Sequence, residues 1–403
     1  MIFDNDANTL HTTFFNSPHY RAQSLFMTFQ QLNISRPTLR ALEEKNYVSP
    51  TPIQQQAIPE AMNGRDIIGI AQTGTGKTAA FAIPIIERLR ARKAERGAKS
   101  RIRALILTPT RELAIQIEEE FAQYGKYSDL RHTVIYGGVN QKPQTERLGR
   151  GTDILIATPG RLLDLIGQGY IDLADVDCFV LDEADRMLDM GFIHDIKRLL
   201  PLLPRQKQTL LFSATMPREI VEISRKLLRH PSRVEAAPES TVAETVDQYL
   251  YMVEKPDKHA LLVDILRRES GKSILVFSRT KHGADKIVRR LEKEGVRARA
   301  IHGNKSQNAR QQALADFKQG RIHTIVATDI AARGIDIRNL DMVVNYDMPD
   351  VAETYVHRIG RTGRAGNSGT AVTFCMQEEK AMLRAVQRLT GDRLHVVAAK
   401  SDA

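Results

Sequence analysis

The residues of this chain with the plainest chemical purpose are AQTGTGKT at 71–78, which directly follow the apolar run DIIGI at 66–70. A strand that empties into a glycine-rich turn and then a helix aims backbone N–H groups and the positive end of a helix dipole at one point, which makes a phosphate site. Gly74 and Gly76, interleaved with Thr73 and Thr75, let the backbone approach a polyphosphate. Lys77 supplies charge for the outer phosphates, and the Thr78 hydroxyl can complete Mg²⁺ coordination. Ala71 stands where the strict pattern has glycine. A second set of reactive groups, Asp182, Glu183 and Asp185, closes the apolar run CFVLDEAD at 178–185. At the carboxyl end of a parallel strand, Asp182 can hold Mg²⁺ against a nucleotide while Glu183 orients and deprotonates an attacking water. Alone, the acidic set also suits an ordinary helix start, where Asp and Glu are electrostatically favoured. With the phosphate turn upstream, it predicts nucleotide hydrolysis.

These side chains need a scaffold, and the chain supplies one twice. Short continuous apolar runs, ALILTP at 104–109, TVIYGG at 133–138, ILIATPG at 154–160, CFVLDEAD and TLLFSAT at 209–215, alternate with helical segments. Such alternation predicts an α/β fold, a mostly parallel sheet with helices on both faces. It restarts after PSRVEAAPESTVAE at 231–244 with SILVFSRT, ARAIHG, HTIVATD, MVVNYDMP and TAVTFC. The expected domains are therefore 27–232 and 245–395, joined by a linker over 233–244, with a poorly ordered extension over 1–26 and a short tail over 396–403. Ahead of the phosphate turn, a helical pattern runs from Phe29 to Tyr47, and a second helix starts at Pro52. Pro84 must kink the helix after the phosphate turn or cost it a hydrogen bond. The second domain has no phosphate turn of its own, which suggests a duplicated architecture that completes the first domain's site.

At 403 residues with 42% hydrophobic and 26% charged side chains, the chain can bury more than one core. Its net charge of +10 suits a polyanionic partner. Cys178 and Cys375 are far apart and lack metal-ligand neighbours, which argues against a disulfide framework or a zinc site and fits a reducing, cytoplasmic setting. The first 26 residues lack the pattern of an export signal and no run is long enough to span a bilayer, so neither export nor membrane anchoring is expected.

AQTGTGKT, DEAD and SAT in this order resemble the DEAD-box RNA helicases of superfamily 2, over roughly residues 29–389. VIYGGVNQKPQ and FSATMPREI are similar to the RhlE-type branch. The resemblance implies two RecA-like domains with ATP in the cleft between them. It implies that Phe29 and the PTPIQ stretch read adenine, Gln54 bonding the base edge and Tyr47 stacking on its face, with Asn46 before it accepting a left-handed turn. Ser213 and Thr215 would bond the DEAD aspartates and link hydrolysis to strand separation. Pro109, Thr110 and Arg111, Gly137 with Gly138, and Thr158 with Arg161 resemble loops that grip an RNA backbone and read no base edges. In the second domain Arg279, Gly303 and Thr328 resemble further RNA contacts, and Gln307, Arg310 and Arg333 coupling elements. Asp336 resembles a ribose contact. HRIGRTGR at 357–364 resembles the stretch in which His357 orders the water and Asp185 network. Arg361 and Arg364, three apart and hence on one helix face, would reach the γ-phosphate.

The expected activity is an RNA-stimulated ATPase, an ATP-dependent RNA helicase that uses ATP and Mg²⁺, binds RNA with little sequence preference and opens short duplexes locally. The resemblance implies a monomer acting in ribosome assembly or RNA turnover, with ribosomal particles or RNA-decay proteins as partners. An ATP-gated RNA clamp or assembly scaffold, with hydrolysis timing release, would need the same residues, and the residues alone do not separate RNA from DNA.

Overall fold

The apolar runs form strands because each is buried on both faces and finds its hydrogen-bond partners in a neighbouring run. The computed structural model describes residues 27–72, 74–96, 101–236, 246–332, 340–363, 368–391 and 393–397. Its first sheet comprises β1 (Ile67–Ile70), β2 (Ala104–Leu107), β3 (His132–Ile135), β4 (Ile154–Ala157), β5 (Cys178–Leu181), β6 (Gln208–Ser213) and β7 (Ser232–Glu235). They lie in the order β3-β4-β2-β5-β6-β1-β7, every pair parallel. The second sheet comprises β8 (Val246–Met252), β9 (Ile274–Phe277), β10 (Ala298–Ile301), β11 (Thr324–Ala327), β12 (Met342–Asn345), β13 (Gly369–Cys375) and β14 (Leu394–Val397). Its order, β10-β11-β9-β12-β13-β8-β14, is that of the first sheet with each strand number advanced by seven, again all parallel. The architecture is thus duplicated strand for strand.

Alternate residues of each strand enter opposite cores. Ile106, Ile156, Val180 and Phe212 pack on one side of the first sheet with Phe81 and Phe121, whereas Leu105, Leu155, Phe179 and Leu211 pack on the other with Leu162 and Met187. The second sheet repeats this with Val276 and Val344 on one face and Leu275 and Val343 on the other. Truncating a side chain such as Phe212, fully buried, costs about 3–5 kcal/mol. Parallel strands place their carboxyl ends on one edge, so the turns after β1, β2, β4, β5 and β6 share the same rim of the first sheet.

The structure departs from the sequence reading at several boundaries. Residues 29–47 are not one helix: a 3₁₀ turn at Phe29–Leu32 ends at Asn33, whose φ is +55°, and a helix restarts at Arg36–Glu44 with Pro37 in its first turn. Residues 233–235, expected in the linker, belong to β7, which pairs with β1 and buries Val234. Residues 396 and 397, expected in the tail, belong to β14 on the outer side of β8. Strand β8 itself was not singled out, because VDQYLYM mixes polar and apolar residues, as a strand near a sheet edge can. Pro84 sits inside the unbroken helix Lys77–Arg96.

Candidate active site and nucleic-acid interface

The turn after β1 carries the phosphate-binding features in its backbone. Gly74 and Gly76 have φ of +98° and +91°, and a Cβ added to Gly76 would stand 2.3 Å from Gln54 Nε2. Only glycine fits there without displacing the amide. Thr75 donates its hydroxyl to Gln72 O at 2.9 Å, which closes the turn on itself. The following helix begins at Lys77, whose ammonium is buried and meets no hydrogen-bond partner among the described residues. A buried ammonium whose hydrogen bonds are unmade is costly, and a phosphate oxygen is the group that would relieve it. Thr78 is the next residue of that helix, and Thr73 lies outside the described residues.

Gln54 does more for the protein itself than was expected. It is the third residue of the helix Pro52–Met62, and its Oε1 accepts the Thr51 N–H at 2.9 Å in a capping box while its Nε2 donates to Gly76 O at 3.0 Å. Thr51 Oγ1 donates to Thr75 O at 2.7 Å. The PTPIQ stretch therefore clasps the phosphate turn, and any base-edge bond from Gln54 would use the second lone pair or the second amide hydrogen. Tyr47 is 36% exposed and stacks on buried Phe29 at 6.5 Å between ring centroids. Asn46 takes the left-handed conformation that the turn requires, φ +57°.

After β5 the DEAD residues divide their work. Asp182 is buried and accepts the Glu183 N–H on Oδ1 at 3.0 Å. Burial pushes its carboxyl up to about 7, against the pull of the Lys77 charge. Glu183 adopts φ +53° and ψ +52° as it caps the short helix Ala184–Asp189, and its carboxylate pairs with Arg186. Asp185 reaches across to the end of β6. Its Oδ2 accepts from Ala214 N at 3.2 Å, Thr215 N at 2.8 Å and Thr215 Oγ1 at 3.0 Å, and its own N–H donates to Ser213 Oγ at 3.1 Å. Burial alone would raise the Asp185 carboxyl, but the Thr215 bonds and the Lys77 charge hold it below the usual range.

These groups line a cleft of about 730 Å³ whose far wall is the second domain: Gln72, Lys77, Glu183, Asp185 and Thr215 face Val351, His357 and Arg361. His357 lies on the helix Ala352–Ile359 and Arg361 just beyond its end, so the helix-face argument for Arg361 and Arg364 does not hold. Chain geometry after Gly360, not helical spacing, sets the place of Arg361. Arg364, Arg333 and Asp336 lie outside the described residues.

A separate groove of about 480 Å³ also runs between the domains, with Pro109, Thr110, Arg111, Gly137, Thr158 and Arg161 on one side and Gly303, Arg310 and Ala331 on the other. Arg161 donates to Val139 O at 3.0 Å, and its buried Nη1 has no partner among the described residues. Gly138, φ +76°, leaves space that the Arg111 guanidinium occupies: an added Cβ would stand 2.2 Å from Nη2. Thr328 is not in the groove wall; its N–H bonds Ile301 O at 3.4 Å. Arg279 is held elsewhere, donating to Met348 O at 3.1 Å and Glu379 at 2.8 Å and facing Asp350 at 3.4 Å. The carboxylates that take it up flank the ends of β12 and β13 in its own domain.

Known proteins share this arrangement. Residues 51–223 match the family described as DEAD/DEAH box helicase, and residues 257–366 match the helicase conserved C-terminal domain. The DEAD-box ATP-dependent RNA helicase CshA of Streptococcus pneumoniae is 43% identical over 368 residues, 91% of this chain and 69% of the relative. CshA of Bacillus subtilis is 42% identical over 364 residues, 90% of this chain and 72% of the relative.

The chain belongs to the DEAD-box ATP-dependent RNA helicases.

Among solved structures, Saccharomyces cerevisiae Dbp5 bound to RNA and ADP BeF3 superposes on this helicase with a TM-score of 0.79 at 31% identity, over 92% of this chain and 95% of the other. A DEAD box protein from the hyperthermophile Methanococcus jannaschii, at 39% identity and coverage of 92% and 98%, gives 0.52. The helicase is an RNA-stimulated ATPase built on two RecA-like domains, and no helix among its described residues is long and apolar enough to cross a membrane.

Two buried charged residues of this helicase were not among the site residues read from the sequence. Glu112, in the PTRELA stretch, accepts the Gln307 amide at 3.0 Å and pairs with Arg310 at 3.0 Å, joining the two domains through a buried carboxylate. Arg358, in HRIGRTGR, is buried and makes a bidentate pair with Asp329 at 2.6 and 2.7 Å while donating to Asp347 O at 2.6 Å. It ties the segment after β11 to the helix that carries His357. Both lie in helices that carry several other charged residues, so their charge reads equally as surface.

Proposed function

We propose that this helicase works by closing its two domains on ATP and on an RNA backbone at once. The observation that carries the reading is Glu112 of the first domain, buried against Gln307 and Arg310 of the second in the wall of a groove that, like the nucleotide cleft, takes one wall from each domain. The better superposition on RNA-bound Dbp5 than on a more similar sequence supports taking this arrangement as the closed one.

In the closed state Lys77 binds the outer phosphates, Glu183 accepts a proton from the attacking water, and Arg361 neutralises charge at the γ-phosphate. His357, beside Arg361, orders the network that reaches Asp185. The Asp185 bonds to Ser213 and Thr215 carry the state of the cleft to the rest of the sheet edge. Thr78 and Asp182 fit Mg²⁺: a buried carboxylate and a hydroxyl at the start of the phosphate-binding helix are hard oxygen donors. Held by Thr78 and Asp182, the ion would offset negative charge on the phosphates. The groove offers backbone groups, hydroxyls and arginines but no set of side chains for base edges, so RNA is held with little sequence preference. Closure strains a bound strand and opens short duplexes locally; hydrolysis reopens the clefts. The proposal extends to a cytoplasmic monomer in ribosome assembly or RNA turnover, with ribosomal particles or RNA-decay proteins as partners, which the RhlE-type resemblance suggests.

ATP hydrolysis by the wild type and by Glu183→Gln, alone, with single-stranded RNA and with DNA of the same sequence, tests this reading. Stimulation by RNA only, lost in the variant, is expected. Equal stimulation by both strands would replace the RNA-selective mechanism with a general translocase.

A further inference from the structure

The residue that follows DEAD is an arginine, and nothing in the phosphate or RNA chemistry above uses it. Arg186 is only 13% exposed in its side chain, lines the nucleotide cleft, and pairs with the Glu183 carboxylate, whose side chain is 5% exposed. The pair spans three residues at the start of a six-residue helix, the spacing at which side chains meet. Glu183 stands there with left-handed backbone angles, φ +53°, which a residue with a Cβ adopts only where its surroundings enforce it. The backbone is fixed from one side by the Glu183 N–H bond to Asp182.

We propose that Arg186 is the positioning residue for the Glu183 carboxylate: its planar guanidinium holds one carboxylate oxygen and so orients the other toward the place of the attacking water. This rests on the reading of Glu183 as the base. The chemistry follows from geometry. A guanidinium binds a carboxylate in a defined plane, which an ammonium does less well. Arg186 itself never touches the reacting atoms. Its effect is on the fraction of time that the base is aligned, which enters the hydrolytic step and not the binding of ATP or RNA.

The test is single-turnover ATP hydrolysis with saturating RNA for the wild type, Arg186→Ala, Arg186→Lys, Glu183→Gln and the double variant Glu183→Gln with Arg186→Ala. Arg186→Ala is expected to slow hydrolysis roughly ten- to hundredfold, with KM for ATP and RNA affinity within about twofold of wild type; the thermal midpoint falls because the Glu183 carboxylate stays buried without the guanidinium, and it recovers in the double variant, which removes that charge. Arg186→Lys should recover part of the rate, and the double variant should hydrolyse at the rate of Glu183→Gln alone, because a group that acts through Glu183 has nothing left to align. A wild-type rate in Arg186→Ala overturns the proposal. So does a further loss in the double variant as large as in the single, or a loss accompanied by weaker ATP and RNA binding, which marks a structural role. If Glu183→Gln itself hydrolyses at the wild-type rate, it is the assignment of the base that fails.

Discussion

Replacing Glu112 with glutamine tests the closure mechanism at its narrowest point. The Glu112 side chain is 7% exposed and that of Arg310 is 11% exposed, so each is desolvated where the domains meet. Burial pulls the Arg310 guanidinium below its ordinary range, with the Glu112 charge opposing that pull. Glutamine keeps the size and a carbonyl oxygen for Gln307 but removes the charge that compensates Arg310. Losing a charge-assisted bond costs about 1.5–3 kcal/mol, and leaving the guanidinium buried without its partner costs up to about 3–5 kcal/mol. If the domains separate without ligands, both groups return to water and the cost falls on the closed state alone. Each 1.4 kcal/mol is about tenfold in an equilibrium constant. The tightening of RNA binding by a non-hydrolysable ATP analogue should therefore fall by at least about tenfold and up to roughly a thousandfold or its full extent, and by linkage the tightening of analogue binding by RNA should fall equally. Anisotropy of a labelled single strand, titrated with and without analogue, measures the first; a fluorescent analogue with and without RNA measures the second. RNA affinity without nucleotide should stay unchanged. Full retention of the analogue effect in Glu112→Gln would refute closure through this contact, and a loss in only one direction would violate the thermodynamic cycle.

Three further outcomes follow from particular contacts. Lys77→Met should abolish RNA-stimulated hydrolysis, by roughly a hundredfold or more, while the thermal midpoint holds or rises, because the ammonium is buried without a hydrogen-bond partner among the described residues; a lowered midpoint would mean that its charge opposite Asp182 and Asp185 supports the fold. Arg358→Met leaves the Asp329 carboxylate without its bidentate partner and should cost about 3–5 kcal/mol in urea unfolding; a change under about 1 kcal/mol would show that water replaces the arginine. At the far end of the second sheet, burial would raise the Asp341 carboxyl, but the hydroxyl and N–H of Ser273, both at 2.7 Å, outweigh it and hold the carboxyl below 3.8. A lowered folded value means that its stabilisation is present above the unfolded value and is lost as pH falls through the folded one. Asp341→Asn should thus lower the midpoint at pH 7 and flatten its fall below about pH 4; parallel curves for the two proteins would remove Asp341 from the acid limb.

Much of the site was legible because it is local. The phosphate turn needs glycines at fixed offsets between a strand and a helix, and Gly74, Gly76 and Lys77 carry that requirement within a few residues. The same holds for carboxylates at a strand end, and for apolar runs short enough to be buried strands. Tertiary structure alone decided the partners. Gln54 turned inward because it lies three residues into a helix whose cap needs an acceptor, and Gly76 O lies within its reach. Arg279 was drawn to Glu379, 100 residues downstream, once β9, β12 and β13 were aligned. Residues 233–235 became a strand because β1 had a free edge, a fact that no local pattern contains.

Local pattern was enough to place phosphate-binding and acidic groups at strand ends and to show one α/β pattern twice. That each cleft takes a wall from each domain was expected; that Glu112 is the buried carboxylate joining the domains came from the packed structure alone. The physical reason is range: backbone conformation and period act over a few residues, whereas a buried ion pair is specified by whichever surfaces the packed sheets bring face to face.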